Sequence, residues 1–96
     1  MSRRKPDLTY VVFRRWRDNG DLIALFPDIA LFPDIPEAED FVLSYMHMGQ
    51  HGGADYNGVI RLSDPVDPTA PDVLALLAEL RSIGYKLAVT TRRPRR

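Results

Sequence analysis

The clearest pattern of apolar and polar positions lies in the C-terminal third of the chain, where it predicts one amphipathic helix, Pro71–Ile83. Five apolar residues recur there at three- and four-residue spacing and fall on one stripe: Val73, Leu76, Leu77, Leu80 and Ile83. Thr69 can cap the first turn, and Gly84 can adopt the left-handed conformation that commonly ends a helix. The stripe requires an apolar surface, so the pattern predicts a helix packed on one face of a sheet.

Alternating β-branched, aromatic and polar residues predict the strands of that sheet. They fall in four segments: Leu8–Arg17, Leu22–Phe26, Phe41–Met48 and Tyr85–Thr91. Asn19 and Gly20 suit a two-residue hairpin turn, which places Trp16 opposite Ile23. The third segment has apolar residues on both faces, which predicts a central strand. Residues 54–63 fit a short helix or a strand, and we favour the helix.

These elements predict an α+β fold. A single domain, residues 8–91, is expected between two basic tails, residues 1–7 and 92–96. The sheet is expected to be antiparallel, with three to four strands, and to carry the main helix, Pro71–Ile83, on one face. Asp64–Pro68 is expected to be a stiff connector, because its two prolines oppose both helix and ladder.

A hexapeptide, Ala-Leu-Phe-Pro-Asp-Ile, occurs twice in succession, as Ala24–Ile29 and Ala30–Ile35. Either copy can complete the second strand, which leaves the other copy as a loop or bulge. The prolines in and after the copies lack the donor that a central ladder requires, so this region is expected at the edge of the sheet. Because loop-closure entropy changes slowly with loop length, we expect the additional copy to be a tolerated insertion.

The net charge of zero conceals a strong segregation of charge along the chain. Residues 1–17 have a net charge of +5, residues 18–80 a net charge of −11, and residues 81–96 a net charge of +6. The basic ends indicate a nucleic acid as partner, and the acidic middle indicates a basic protein. The chain has no cysteine and no long apolar run, which excludes disulfide scaffolds and membrane spans. We therefore expect a cytoplasmic protein without a membrane partner.

Basic and aromatic residues in the first strand form the leading candidate site. Cations of the last segment join them if the first and last strands are neighbours. The predicted nucleic-acid contacts are Arg14, Arg15, Trp16, Arg17, Lys86, Arg92 and Arg93. The alternative is that these arginines pair with nearby carboxylates and only keep an edge strand soluble.

A glycine-rich segment supplies weaker candidates. His51, Gly52 and Gly53 follow the third strand, where backbone N–H groups can bind an anion, although the Lys-Ser/Thr pair of a phosphate-binding loop is missing. His47, His51 and Asp55 have a spacing that suits zinc on one helix, but the intervening glycines oppose that helix. The sequence contains no strained-turn nucleophile motif and no paired acidic motif, so we predict neither an enzyme nor a cofactor.

Three segments carry a resemblance to other proteins. They are Tyr10-Val-Val-Phe-Arg, Ser44-Tyr-Met-His-Met-Gly-Gln-His-Gly-Gly-Ala-Asp-Tyr and Gly58-Val-Ile-Arg, followed by the helix that ends at Gly84-Tyr85. There, and over most of residues 6–92, the chain resembles a group of small uncharacterised bacterial proteins. The resemblance implies no activity, catalytic residue or partner. The chain departs from that group in its second hexapeptide, since one copy is expected.

Two functions fit this sequence. In the first, the basic ends contact the phosphates of a nucleic acid, and Trp16 or Tyr10 stacks on a base. In the second, the acidic middle binds a basic protein, in the manner of an inhibitor or an antitoxin-like regulator. The charge pattern supports both, and we rank the nucleic-acid function first. A second copy of the chain, forming a homodimer, is a further candidate partner.

Overall fold

The computed structural model describes residues 8–46 and 50–91, which form a six-stranded sheet and two helices. In chain order the elements are β1 (Thr9–Trp16), β2 (Leu22–Ala30), a 3₁₀ turn (Pro36–Ala38), β3 (Phe41–Met46), β4 (Gln50–Asp55), α1 (Tyr56–Leu62), β5 (Ser63–Pro65), α2 (Pro71–Ser82) and β6 (Leu87–Thr90). The α+β class is confirmed, and so is the helix favoured within residues 54–63. The two predicted tails lie outside the described residues. Neither described helix has the length and apolar character needed to cross a bilayer.

The sheet is larger than predicted and is mixed. Its strands lie in the order β4-β3-β2-β1-β5, and β6 pairs with β1 beside β5. β6 runs parallel to β1, whereas the other neighbouring strands are antiparallel. The prediction missed β4 because its glycines were expected to end the third strand. It missed β5 because Pro65 was expected to oppose a ladder, yet proline is tolerated in a short edge strand.

The two faces of the sheet bury separate cores, because successive side chains of a strand point to opposite faces. On the α2 face, the sheet packs against the predicted stripe of α2; this core contains Val11, Phe13, Ala24, Phe26, Tyr45, Val73, Leu76, Leu80 and Leu87. On the α1 face, the core contains Val12, Ile23, Leu25, Val42, Tyr56 and Val59. Helix α1 has only seven residues, so it leaves part of its face uncovered.

The C-terminus of α2 follows its predicted signal, and the N-terminus does not. Gly84 has a φ of +112°, and Tyr85 donates its backbone N–H to the carbonyl oxygen of Leu80 at 3.2 Å, as in a Schellman cap. Thr69 does not cap the helix. Its backbone N–H and hydroxyl instead donate to Asp67 Oδ1 at 2.9 and 2.7 Å. Both bonds lower the pKa of Asp67 from its usual value, and the bond from the backbone N–H has the larger effect.

The hairpin that joins β1 to β2 has a longer loop than predicted. Trp16 donates its N–H to the carbonyl oxygen of Asp21 at 2.9 Å, which leaves a loop of four residues between them. Gly20, the last of these, has a φ of +79°. Arg14 therefore lies opposite Ile23, where Trp16 was expected. The register is shifted by two residues, and because this number is even, every side chain keeps its predicted face.

The first hexapeptide copy completes β2, and the second copy begins at the last residue of that strand. Phe26 lies opposite Leu43 and Ala30 opposite Val42, so Pro27–Ile29 are inserted relative to β3 and form a bulge. The expectation that this region lies at an edge is wrong, because β2 lies between β1 and β3. The bulge places the proline of the first copy outside the regular ladder.

Candidate functional site

Arg14, a member of the predicted nucleic-acid site, is buried and caps helix α1. Its Nε donates to Ser63 Oγ at 2.9 Å, and its Nη2 donates to the carbonyl oxygens of Ser63 and Ile60 at 2.8 and 3.1 Å. The last carbonyls of a helix lack partners within it and lie at the negative end of its dipole, so a cation is stabilising there. Arg14 is 9 % exposed, and its guanidinium is therefore committed to holding α1 on the sheet.

The other two arginines of the hairpin pair with carboxylates of the acidic middle. Arg15 lies 2.9 Å from Asp72 at the start of α2, and it also donates to the carbonyl oxygen of Gly20. Arg17 lies 2.9 Å from Asp64 in β5. Both ion pairs are partly exposed, where such pairs contribute little to stability but reduce the charge offered to a ligand. This arrangement corresponds to the alternative reading of the basic hairpin.

The remaining predicted contacts do not join the arginines on one surface. Trp16 is partly buried and packs against the core of the α1 face, whereas the neighbouring Arg15 pairs with Asp72 of α2. Lys86 is exposed and lies beside the other end of β1, where its carbonyl oxygen accepts the N–H of Thr9. Arg92 and Arg93 lie outside the described residues. Within the described part of the chain, the predicted set is divided between two faces and two ends of β1.

The predicted anion-binding residues, His51, Gly52 and Gly53, lie in strand β4 and not in a loop. Each is paired with a residue of β3, so the segment is part of the sheet. Gly53 has a packing reason to be glycine, because a Cβ there would collide with Leu31 and lie 2.7 Å from the ring of Phe41. The second hexapeptide copy, which supplies Leu31, thus explains a glycine that the sequence linked to ligand binding.

His51 belongs to a cluster of aromatic and polar side chains on the α2 face. Its Nε2 lies 2.8 Å from the hydroxyl of Tyr85, and its ring meets Tyr45 edge-on at 4.7 Å between centroids. The hydroxyl of Tyr45 donates to Glu79 of α2. The described residues contain no group of three His, Cys, Asp or Glu that could hold a metal ion. His47, the third candidate zinc ligand, lies outside them.

The sequence did not identify a concave surface beside the second hexapeptide copy, which we call the acidic hollow. It has a volume of about 470 Å³ and is lined by Phe32, Glu37, Ala38, Asp40, Phe41 and Asp55. The rings of Phe32 and Phe41 stack at 5.6 Å, and Phe32 remains 46 % exposed. Asp34 and Ile35 lie in the same loop and are also exposed. None of the described residues that line the hollow is basic.

One sequence signal points to the hollow. No lysine or arginine occurs between Arg17 and Arg61, so any surface built from this segment is acidic. The aromatic part of the surface had no such signal, because the identical sequence of the two copies does not say which phenylalanine is buried. Phe26 is fully buried, and Phe32 forms the wall of the hollow.

A second concave surface lies on the α1 face, where the short helix leaves the sheet uncovered. We call it the apolar groove; it has a volume of about 500 Å³. Trp16, Ile23, Met46 and Val59 supply apolar side chains, and Leu62 beside them is 61 % exposed. The glycines of β4 form one side of the groove, which therefore runs along the free edge of the sheet.

Comparison of the chain with protein-family models, with curated proteins and with solved structures finds no match in any of the three. The geometry of these surfaces is therefore the basis for assigning a function.

Proposed function

We propose that the chain is a small protein-binding regulator, and that its acidic hollow receives a basic segment of a partner protein. The observation that carries the proposal is one concave surface that combines exposed aromatic area with carboxylates. Phe32 offers apolar contact at the wall, and Glu37 is an exposed carboxylate beside it. Carboxylates steer a basic partner toward the surface, and an accessible aromatic ring is a common anchor of binding energy.

The contacts of the basic hairpin favour the protein-binding function over the nucleic-acid function. This ranking is the reverse of the one that the sequence suggested. Arg14 is buried, and both Arg15 and Arg17 already have carboxylate partners. A nucleic acid would have to compete with those partners for the same cations. A basic protein, in contrast, meets a surface whose lining residues include three carboxylates.

Binding to a short fluorescein-labelled arginine-rich peptide tests the proposal. Anisotropy should rise on titration with the protein, and the affinity should fall with added salt because the attraction is electrostatic. Glu37→Lys should weaken binding about tenfold or more, equivalent to about 1.4 kcal/mol. Asp18→Lys is the matched control, since Asp18 is also exposed, carries the same charge and lies in the distant β1–β2 loop. It should change the affinity by less than about twofold, a small fraction of the effect at the hollow.

A second pair of variants tests the apolar part of the surface. Phe32→Ala should weaken binding several-fold, whereas Leu74→Ala should leave it unchanged. Leu74 is the matched control because it is 48 % exposed, close to the 46 % of Phe32, but lies on α2. If the two lysine variants weaken binding equally, the attraction is only to net charge and the hollow is not the site. Failure of the parent protein to bind the peptide would also refute the proposal.

Nucleic-acid binding is the second candidate, and one observation favours it. Arg81 and Lys86 are exposed, precede the basic C-terminal segment in sequence, and form no ion pair with a described residue. Retardation of a short DNA duplex or RNA hairpin at low salt measures this function. If it applies, removal of residues 92–96 should flatten the dependence of affinity on salt, since fewer counterions are released. Glu37→Lys should then strengthen binding, the opposite of its effect on the peptide.

A further inference from the structure

The outer edge of β4 has exposed backbone groups that no strand in the described part of the chain pairs with. Leu31 donates its N–H to the carbonyl oxygen of Phe41, so the backbone of Phe41 faces β2. Tyr56 donates to the carbonyl oxygen of Asp40 at 2.8 Å, so the backbone of Asp40 faces β4. Because successive residues of a strand direct their N–H and C=O groups to opposite sides, the alternation can be followed along both strands.

This alternation identifies the outward-facing residues of β4. Val42, Ser44 and Met46 face β4 and pair with Ala54, Gly52 and Gln50, respectively. The backbone N–H and C=O groups of His51, Gly53 and Asp55 consequently face away from the sheet. All three residues are exposed. β4 therefore offers a row of donors and acceptors to another strand.

The edge also lacks the features that usually prevent strands from pairing with another chain. Lysine, proline and bulges are the common protective devices. Strand β4 contains neither lysine nor proline, and its six residues pair with β3 without interruption. The other side of the sheet is formed by β5 and β6, which are only three and four residues long, and β5 contains Pro65. Of these two edges, β4 is the one that can accept a strand.

We propose that β4 pairs with β4 of a second copy of the chain, antiparallel and about a two-fold axis at Gly53. In this register the outward-facing residues match, and His51 of each copy lies opposite Asp55 of the other. The pairing is isologous, so the same two residues form the contact twice. An axis at Gly52 would place His51 opposite Gly53, and an axis at His51 or Asp55 would place identical side chains opposite each other. Among the residues of β4, only the axis at Gly53 pairs an imidazole with a carboxylate.

The α1 face adds apolar area to the same interface. Gly52 and Ala54 lie opposite each other across the axis. Because both side chains are small, the apolar groove stays accessible where the two β4 strands meet. Leu62, exposed beside the groove, is then brought toward the second copy. The dimer consequently buries hydrophobic surface as well as completing backbone hydrogen bonds. The two proposals share Asp55, which also lines the acidic hollow, but cross-linking through Gly52 and Ala54 tests the dimer without changing a residue of the hollow.

Disulfide cross-linking tests the register directly, because the chain contains no cysteine of its own. In the proposed dimer, Gly52 and Ala54 form a non-hydrogen-bonded pair with Cα atoms about 4.5 Å apart, a separation that a disulfide can bridge. A mixture of G52C chains and A54C chains should form a covalent dimer under mild oxidation. Neither variant alone should, since each cysteine then faces a native residue. Gly52 tolerates the change because a Cβ there lies 3.7 Å from Ser44 Oγ.

Cross-linking of G52C alone would place the axis elsewhere and overturn the proposed register. A monomer in sedimentation equilibrium at every concentration examined would overturn the dimer itself. The charge pair gives a second measurement. H51D and D55H should each raise the dissociation constant of the dimer about tenfold, and the double variant H51D/D55H should restore it, because the pair is then present in reverse. Thermal melting at low protein concentration checks that each variant is folded, and absence of restoration in folded variants would refute the His–Asp pairing.

Discussion

The two copies of the hexapeptide have identical sequences and different environments. In the first copy, Ala24, Leu25 and Phe26 are fully buried, with β1 on one side and β3 on the other. In the second copy, Phe32 is 46 % and Ile35 47 % exposed, and the backbone of Leu31 bonds to Phe41 at the start of β3. The comparison teaches that tertiary neighbours, and not the local sequence, decide whether a strand-forming segment becomes part of the core.

The largest expected difference between the copies is at their phenylalanines. Phe26→Ala should destabilise the protein by about 3–5 kcal/mol, because the ring is fully buried and stacks on Tyr85 at 5.0 Å. Phe32→Ala, the same change at the equivalent position, should cost less than about 1 kcal/mol. Urea unfolding followed by the fluorescence of Trp16 measures both. Equal losses would contradict the different burial of the two copies.

Deletion of Ala30–Ile35 tests whether the second copy contributes contacts. The sequence predicted tolerance, but Leu31 packs over Gly53 and Phe32 stacks on Phe41. We now expect the deletion to cost about 2 kcal/mol through lost apolar burial, since the change in loop closure alone is below about 1 kcal/mol. A control that replaces these residues with a Gly-Ser linker of equal length should lose as much. If both variants melt with the parent, the tolerance expected from the sequence is correct.

The contact between Leu31 and Gly53 provides a finer test of the second copy. Gly53→Ala should destabilise by about 1–3 kcal/mol, because the new methyl group enters space held by Leu31 and Phe41. Leu31→Ala in the same chain should recover part of this loss. A double-mutant cycle from chemical denaturation gives the coupling, which should be at least about 0.5 kcal/mol. Additive effects would show that the two side chains do not share this space. Gly52→Ala, whose Cβ has room, is the control.

The smallest expected difference is at the prolines. Pro27 is fully buried in the bulge of β2, whereas Pro33 is exposed. Pro27→Ala should cost about 1 kcal/mol through lost packing and a freer unfolded chain, and Pro33→Ala should cost no more than about 0.5 kcal/mol. Differential scanning calorimetry resolves the two. A greater loss from Pro33 would indicate that the loop of the second copy is more constrained than its exposure suggests.

Elements with local signals could be predicted from the sequence, and elements defined by distant partners could not. The stripe of α2 and its glycine end are local, and both are confirmed except at Ile83, which follows the helix and is 52 % exposed. The glycines of β4 are also local, but they gave the wrong signal because the reason for Gly53 is Leu31, which comes from another part of the chain. The direction of β6 was not predictable either, since alternation of apolar residues does not depend on strand direction.

The same distinction applies to the candidate sites. Arg14 looked like a surface cation because its partner Ser63 is 49 residues away in sequence. Glu79 is not part of the apolar stripe of α2, yet the structure places it against the hydroxyl of Tyr45. The acidic character of the middle segment could be read directly, but the hollow required the position of the second copy. Charge is visible in a sequence, whereas concavity is not.

The central position of β1 has a consequence for the way the chain is made. Its first half pairs with β6, which joins Thr9 to Leu87 across nearly the whole described sequence. On the ribosome, β1 and β2 emerge early, yet one side of the first half of β1 stays open until α2 and β6 have been synthesised. Pairing between such distant segments slows folding. Until it forms, the unpaired backbone groups of β1 can pair with another chain and cause aggregation. Nascent chains arrested before β6 should therefore recruit chaperones. The chaperones should release nascent chains that extend past Thr90.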